Sequence, residues 1–102
     1  MDWNGGTAIE VMVASTGSTG WYAQLEVVNG NPTIAFQDVT NTDLMFVRAT
    51  NATGATWGSP VVVDAAGGNF GSLAVIDGRP AISYSRSFNT LHYVRSDDQN
   101  GS

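Results

Sequence analysis

The chain has 102 residues and a formal net charge of −5, with four Arg, no Lys and no Cys. That balance sets the wrong field for a phosphate backbone or an anionic membrane surface, and the lack of thiols removes disulfides and Cys-based metal or redox chemistry. Only 13% of residues are charged, so the surface rests on Ser, Thr, Asn and Gly, a composition better suited to a subunit covered by neighbours than to a free monomer.

Taken in order, the apolar segments are short, rich in Val, Ile, Phe and Tyr, and punctuated by turn residues, which is a strand pattern; no stretch holds a helical period. The first candidate strand covers residues 3–13, and a Gly/Ser/Thr-rich connection leads to Trp21. Strands follow at 22–28 and 32–37, joined by Asn29-Gly30, then at 43–49 and 57–64. A second set falls at 70–76 and 80–85, joined by Asp77-Gly78, and at 90–96. Both Xaa-Gly pairs precede Pro within two residues and mark tight hairpins.

The two sets are copies of one unit. Leu25-Glu-Val-Val-Asn-Gly-Asn-Pro-Thr-Ile-Ala-Phe36 returns as Leu73-Ala-Val-Ile-Asp-Gly-Arg-Pro-Ala-Ile-Ser-Tyr84, an offset of 48. Asp43-Leu-Met-Phe-Val-Arg48 returns as Thr90-Leu-His-Tyr-Val-Arg95 at an offset of 47, so one residue is lost in the loop between them. The phase runs through the chain ends as well: Gly101-Ser102 followed by Asp2-Trp3 of another copy matches Gly54-Ala-Thr-Trp57. The expectation is an all-β chain forming one unit over 1–102, with a first four-stranded β-propeller blade at about 22–64. A second blade at about 70–97 is completed by the N-terminal strand 3–13, from its own chain or a neighbour's.

Two blades cannot close a ring, and closed propellers have four to eight, so the partner expected first is the chain itself. Three chains and six blades is the favoured arrangement, with a dimer or tetramer as alternatives. The N-terminus has neither a basic stretch nor an apolar core of the signal-peptide kind, which places the chain in the cytoplasm or as a secreted protein written without its leader. No membrane insertion and no nucleic-acid partner are expected.

Thr50-Asn-Ala-Thr-Gly54-Ala-Thr56-Trp57 resembles the Asp-box, the bacterial neuraminidase repeat of pattern Ser-x-Asp-x-Gly-x-Thr-Trp. Thr50, Gly54, Thr56 and Trp57 fit, whereas Ala52 stands at the Asp place and Asp2 replaces Thr in the split copy. The resemblance implies a propeller in which the box is structural: Gly permits the turn and Trp packs between strands. Two units per chain is also similar to the architecture of small oligomeric propeller lectins, which implies sugar sites between blades. The Arg, Glu and Trp pattern of the fucose-binding group is not present in matching positions.

Enzymatic chemistry finds little support. A sialidase needs three clustered arginines and a Tyr/Glu pair, but Arg48 and Arg95 are repeat equivalents at strand ends and Arg79 sits in a tight turn. His92 aligns with Met45 inside a strand and reads as a packed residue without a convergent partner. Asp97 and Asp98 read as turn carboxylates, and no metal or cofactor is expected. The loops at 15–21, 38–43, 65–70 and 86–89 share one face of a propeller. Their candidate ligand residues are Trp21, Tyr22, Asp38, Asn41, Asp43, Asn69, Phe70, Arg86 and Asn89. Aromatic rings that stack on sugar C–H groups, beside planar Asn, Asp and Arg groups that pair with hydroxyls, form a carbohydrate-binding pattern. Trp21 and Phe70 also suit plain packing between blades. The expected function is therefore a non-catalytic lectin-like oligomer, with a protein-interaction scaffold as the alternative.

Overall fold

A computed structural model describes Asp2–Trp3, Gly6–Thr7 and residues 10–67 and 69–101. Every regular element among them is a strand: β1 (Asp2–Trp3), β2 (Gly6–Thr7), β3 (Thr19–Val28), β4 (Asn31–Asp38), β5 (Asp43–Arg48), β6 (Val61–Asp64), β7 (Asn69–Ile76), β8 (Arg79–Arg86) and β9 (Thr90–Arg95). They form two antiparallel sheets, ordered β3-β4-β5-β6 and β7-β8-β9, plus a two-stranded ladder of β1 with β2.

Local sequence explains the meander. Asn29 and Gly30 both take left-handed φ, as do Asp77 and Gly78, which is the geometry a two-residue hairpin of matching twist requires. Between the central and third strands, Asp38 pairs with Asp43 in the first sheet and Arg86 with Thr90 in the second, so the loop shortens from 39–42 to 87–89. The change in repeat offset lies there.

The Asp-box-like segment makes a turn, with a division of labour the motif alone does not convey. Asn51 Oδ1 accepts from the backbone N–H of Gly54 at 3.0 Å and of Ala55 at 3.1 Å, so Asn51 carries out the capping and Ala52 has no part in it. Gly54 holds φ +76°, and Trp57 Nε1 donates to its carbonyl at 2.7 Å. The hydroxyls of Thr50 and Thr56 are hydrogen-bonded to each other across the turn. Asp98 is the repeat counterpart of Asn51: its Oδ1 accepts from Asn100 N and Gly101 N, and Gly101 has φ +80°.

The sheets pack face to face. Ala35, Leu44 and Phe46 of the first meet Leu73, Ile82 and Tyr84 of the second, with Val63 and Val94 at the margin. On the opposite face of the first sheet, Met12, Val13 and Ala14 line a hollow with Ile34, Phe36 and Val47. Of the strand expected at 3–13, residues 4, 5, 8 and 9 lie outside the described residues. Residues 10–15 form no strand, and among the described residues the second sheet has three strands with β9 at its edge. Trp57 is joined to Ala49 by a single bridge, so β6 starts later than the expected 57–64.

Candidate functional site: a cleft between the sheets

The cleft begins with an interruption in β3. Its ladder with β4 slips between Thr19 and Trp21 and again between Trp21 and Gln24, with Gly20 at φ +95° and Tyr22 at φ +55°. Such irregularity re-aims side chains at a sheet end. Trp21 is left half exposed, its Nε1 donating to Ser18 Oγ at 3.0 Å and its ring 6.3 Å from that of Tyr22 at a 57° tilt.

The β8–β9 hairpin lines the same cleft. Ser87 and Phe88 are consecutive residues with φ near +57°, closed by the Asn89 N–H donating to Arg86 O at 3.1 Å, and Phe88 is largely exposed. The floor is a buried hydrogen bond between sheets, Gln37 Nε2 to Asn69 Oδ1 at 2.6 Å. The resulting hollow of about 310 Å³ is lined by Trp21, Tyr22, Gln37, Val39, Thr42, Asn69, Ser87 and Phe88, with Ala66 and Gly67 as one wall. None of these residues bears a carboxylate, imidazole or guanidinium. Four of them, Tyr22, Thr42, Ser87 and Phe88, are non-glycine residues at positive φ; the other two among the described residues, Asn29 and Asp77, serve the hairpins. Backbone strain, of order 1–3 kcal/mol at each site, gathers where a constellation must be held in place.

Behind the wall, a polar clamp fixes one sheet to the other. Asp64 Oδ2, at the end of β6, accepts from the Tyr84 hydroxyl and from Arg86 Nη2, each at 2.5 Å, while its Oδ1 accepts from Ala66 N at 2.8 Å. Burial pushes the Asp64 carboxyl up, but the hydrogen bonds from Tyr84, Arg86 and Ala66 and the guanidinium charge outweigh it and hold it at about 2. Burial, followed by the bond to Asp64, raises Tyr84. The bond to Asp64 raises Arg86. Gly67 backs onto Arg86 so closely that a Cβ there would stand 3.0 Å from its Cα.

The structure separates the nine residues singled out from sequence. Trp21, Tyr22 and Asn69 meet in the cleft, Arg86 is held in the clamp, and Asn89 closes the hairpin that carries Phe88. Asp38, Asn41 and Asp43 line a different hollow with Met12, Phe36 and Met45. There Asp38 is turned onto its own loop, accepting from Asn41 N at 3.3 Å and Asn41 Nδ2 at 2.8 Å. The Phe70 side chain lies outside the described residues. Gln37, Val39, Thr42, Ser87 and Phe88 were not singled out; an aromatic at a three-residue hairpin tip was the available signal for Phe88. His92 stacks on Tyr84 with centroids 5.6 Å apart, and its Nε2 is hydrogen-bonded to Thr90 Oγ1. The chain matches no protein-family model, no curated protein and no solved structure.

Proposed function

We propose that the chain is a non-catalytic, lectin-like carbohydrate-binding module whose cleft takes one unit of a neutral glycan, and whose copies assemble into a β-propeller. The observation that carries the sugar reading is the cleft's chemistry. Two exposed aromatic residues, Trp21 and Phe88, line it together with amide and hydroxyl groups, with no charge among the described lining residues. Rings offer stacking area and the amide and hydroxyl groups pair with sugar hydroxyls, whereas a carboxylated or sulfated sugar finds no cation there. The exposure of Phe88 at a hairpin tip also suits a protein ligand, which is the second reading.

The assembly reading rests on the repeat. With Trp3 placed on Trp57, residues 7–10 fall on β6, the strand that covers the edge of β5, and among the described residues no strand covers the matching edge of β9. A strand from residues 7–10 laid along β9 gives each sheet four strands, and three chains then make six blades.

A glycan array probed with the full chain tests the sugar reading. Signal on neutral glycans is expected, with Trp21→Ala abolishing it while particle mass and strand circular dichroism stay unchanged. Signal confined to acidic glycans, or undiminished by Trp21→Ala, counts against this cleft. Binding to proteins with a blank array favours the second reading.

A further inference from the structure

Equivalent residues of the two repeats differ sharply in exposure, and the differences fall on opposite faces. Leu44 and Phe46 are 1% and 4% exposed beneath the second sheet, while their counterparts Leu91 and Tyr93 are 84% and 63% exposed. Leu73 is 7% exposed against the first sheet, while its counterpart Leu25 is 70% exposed, with Val27 beside it at 59%. Single exposed apolar residues are ordinary on a protein surface. Here Leu91, Tyr93 and Leu25 each repeat a residue that is buried at the sheet-to-sheet contact within the chain. Each chain thus carries part of both halves of that contact a second time; on the Leu25 side Met12, Val13 and Ala14 line a hollow with Ile34, Phe36 and Val47, and Leu25 and Val27 stand exposed beside it.

We propose that the Leu91/Tyr93 face of one copy packs on the Leu25/Val27 face of a second copy, repeating between chains the contact made between sheets within one. The two faces are different surfaces, so the contact is head-to-tail and propagates until a ring closes. The polar clamp is not repeated: Phe36 and Asp38 occupy the places of Tyr84 and Arg86, which leaves the joint between copies to apolar contact. This inference rests on the assembly part of the proposed function and is independent of sugar binding.

Light scattering and sedimentation on the full chain at micromolar concentration test it. The unaltered chain is expected as one species of several copies, and Leu91→Arg and Leu25→Arg each as a single chain with unchanged circular dichroism. Mixed in equal amounts, the two variants form a two-chain complex and nothing larger, since the first keeps its Leu25 face and the second its Leu91 face. Leu91→Ser and Leu25→Ser serve in the same mixture should an Arg variant fail to fold. A monomeric unaltered chain overturns the proposal, as do variants that retain the original mass or a folded mixture that stays as single chains. A blank glycan array on an intact ring removes the sugar reading and leaves this contact standing.

Discussion

Asp64 shows how a few side chains set a measurable property. Its carboxyl lies at about 2, below the ordinary 3.8, because the bonds from Tyr84, Arg86 and Ala66 exceed the penalty of burial. A group depressed in the folded state contributes stability that is present above its unfolded value and disappears as pH falls through its folded one. Denaturant midpoints are therefore expected to drop between about pH 4 and pH 2, and Asp64→Asn should flatten that part of the profile. An identical acid limb in the variant would move the effect to other carboxylates. Phe88 illustrates the opposite trade. A bulky residue at φ +56° is strained, and Asn tolerates that region better, so Phe88→Asn should leave the unfolding midpoint unchanged or higher while weakening glycan binding. A lower midpoint would show that the ring is needed for packing.

At the level of elements, the turn at 98–101 ties the end of the second sheet to the first. Gly101 needs its positive φ for the turn, and a Cβ there would run into the Phe46 ring and stand 3.1 Å from Pro80 Cγ. Gly78, also at positive φ, has open space around it. Gly78→Ala is expected to cost about 1 kcal/mol from backbone strain alone. Gly101→Ala adds overpacking against a buried aromatic and should cost about 2–4 kcal/mol, read from urea denaturation. Equal losses at the two positions would mean that the 98–101 turn moves away freely. Phe46 is the more sensitive partner because it belongs to the core between the sheets, where shape is least forgiving.

For the whole molecule, the proposed ring and the repeat together set the number of ligand sites. Trp21 has Asn69 as its counterpart, and the 39–42 loop that answers the Phe88 hairpin holds no aromatic. The cleft between sheets of one chain is thus not reproduced at a joint between chains. Titration calorimetry is expected to give one site per chain. A value of two per chain would show that both kinds of joint bind. Widely spaced sites on one particle gain avidity on a dense glycan surface, so array signals should exceed solution affinities for a single sugar.

Strand identity and order could be read from the chain because the information is local. Asn29-Gly30 and Asp77-Gly78 dictate their hairpins, and alternating β-branched and aromatic residues dictate the strands between them. The missing repeat residue was placed in a loop because insertions cost least there. The cleft was only partly legible. Trp21, Tyr22 and Asn69 were found, but Gln37 looked like any mid-strand residue and Asp38, Asn41 and Asp43 looked like neighbours of Trp21. Period-two alternation sends Gln37 and Asp38 to opposite faces, and a register for β4 against β3 is needed to know which face meets the second sheet.

The sequence by itself thus determined a duplicated all-β unit, its turns and the residue types available for recognition, since φ/ψ preference and hydrophobic period act over a few neighbours. Only the tertiary structure decided that Asp64, Tyr84 and Arg86 form a clamp, that Phe88 and Trp21 line one cleft, and which of two equivalent leucines is covered. Those outcomes depend on how two sheets stack, a contact between residues far apart in the chain that no local preference encodes.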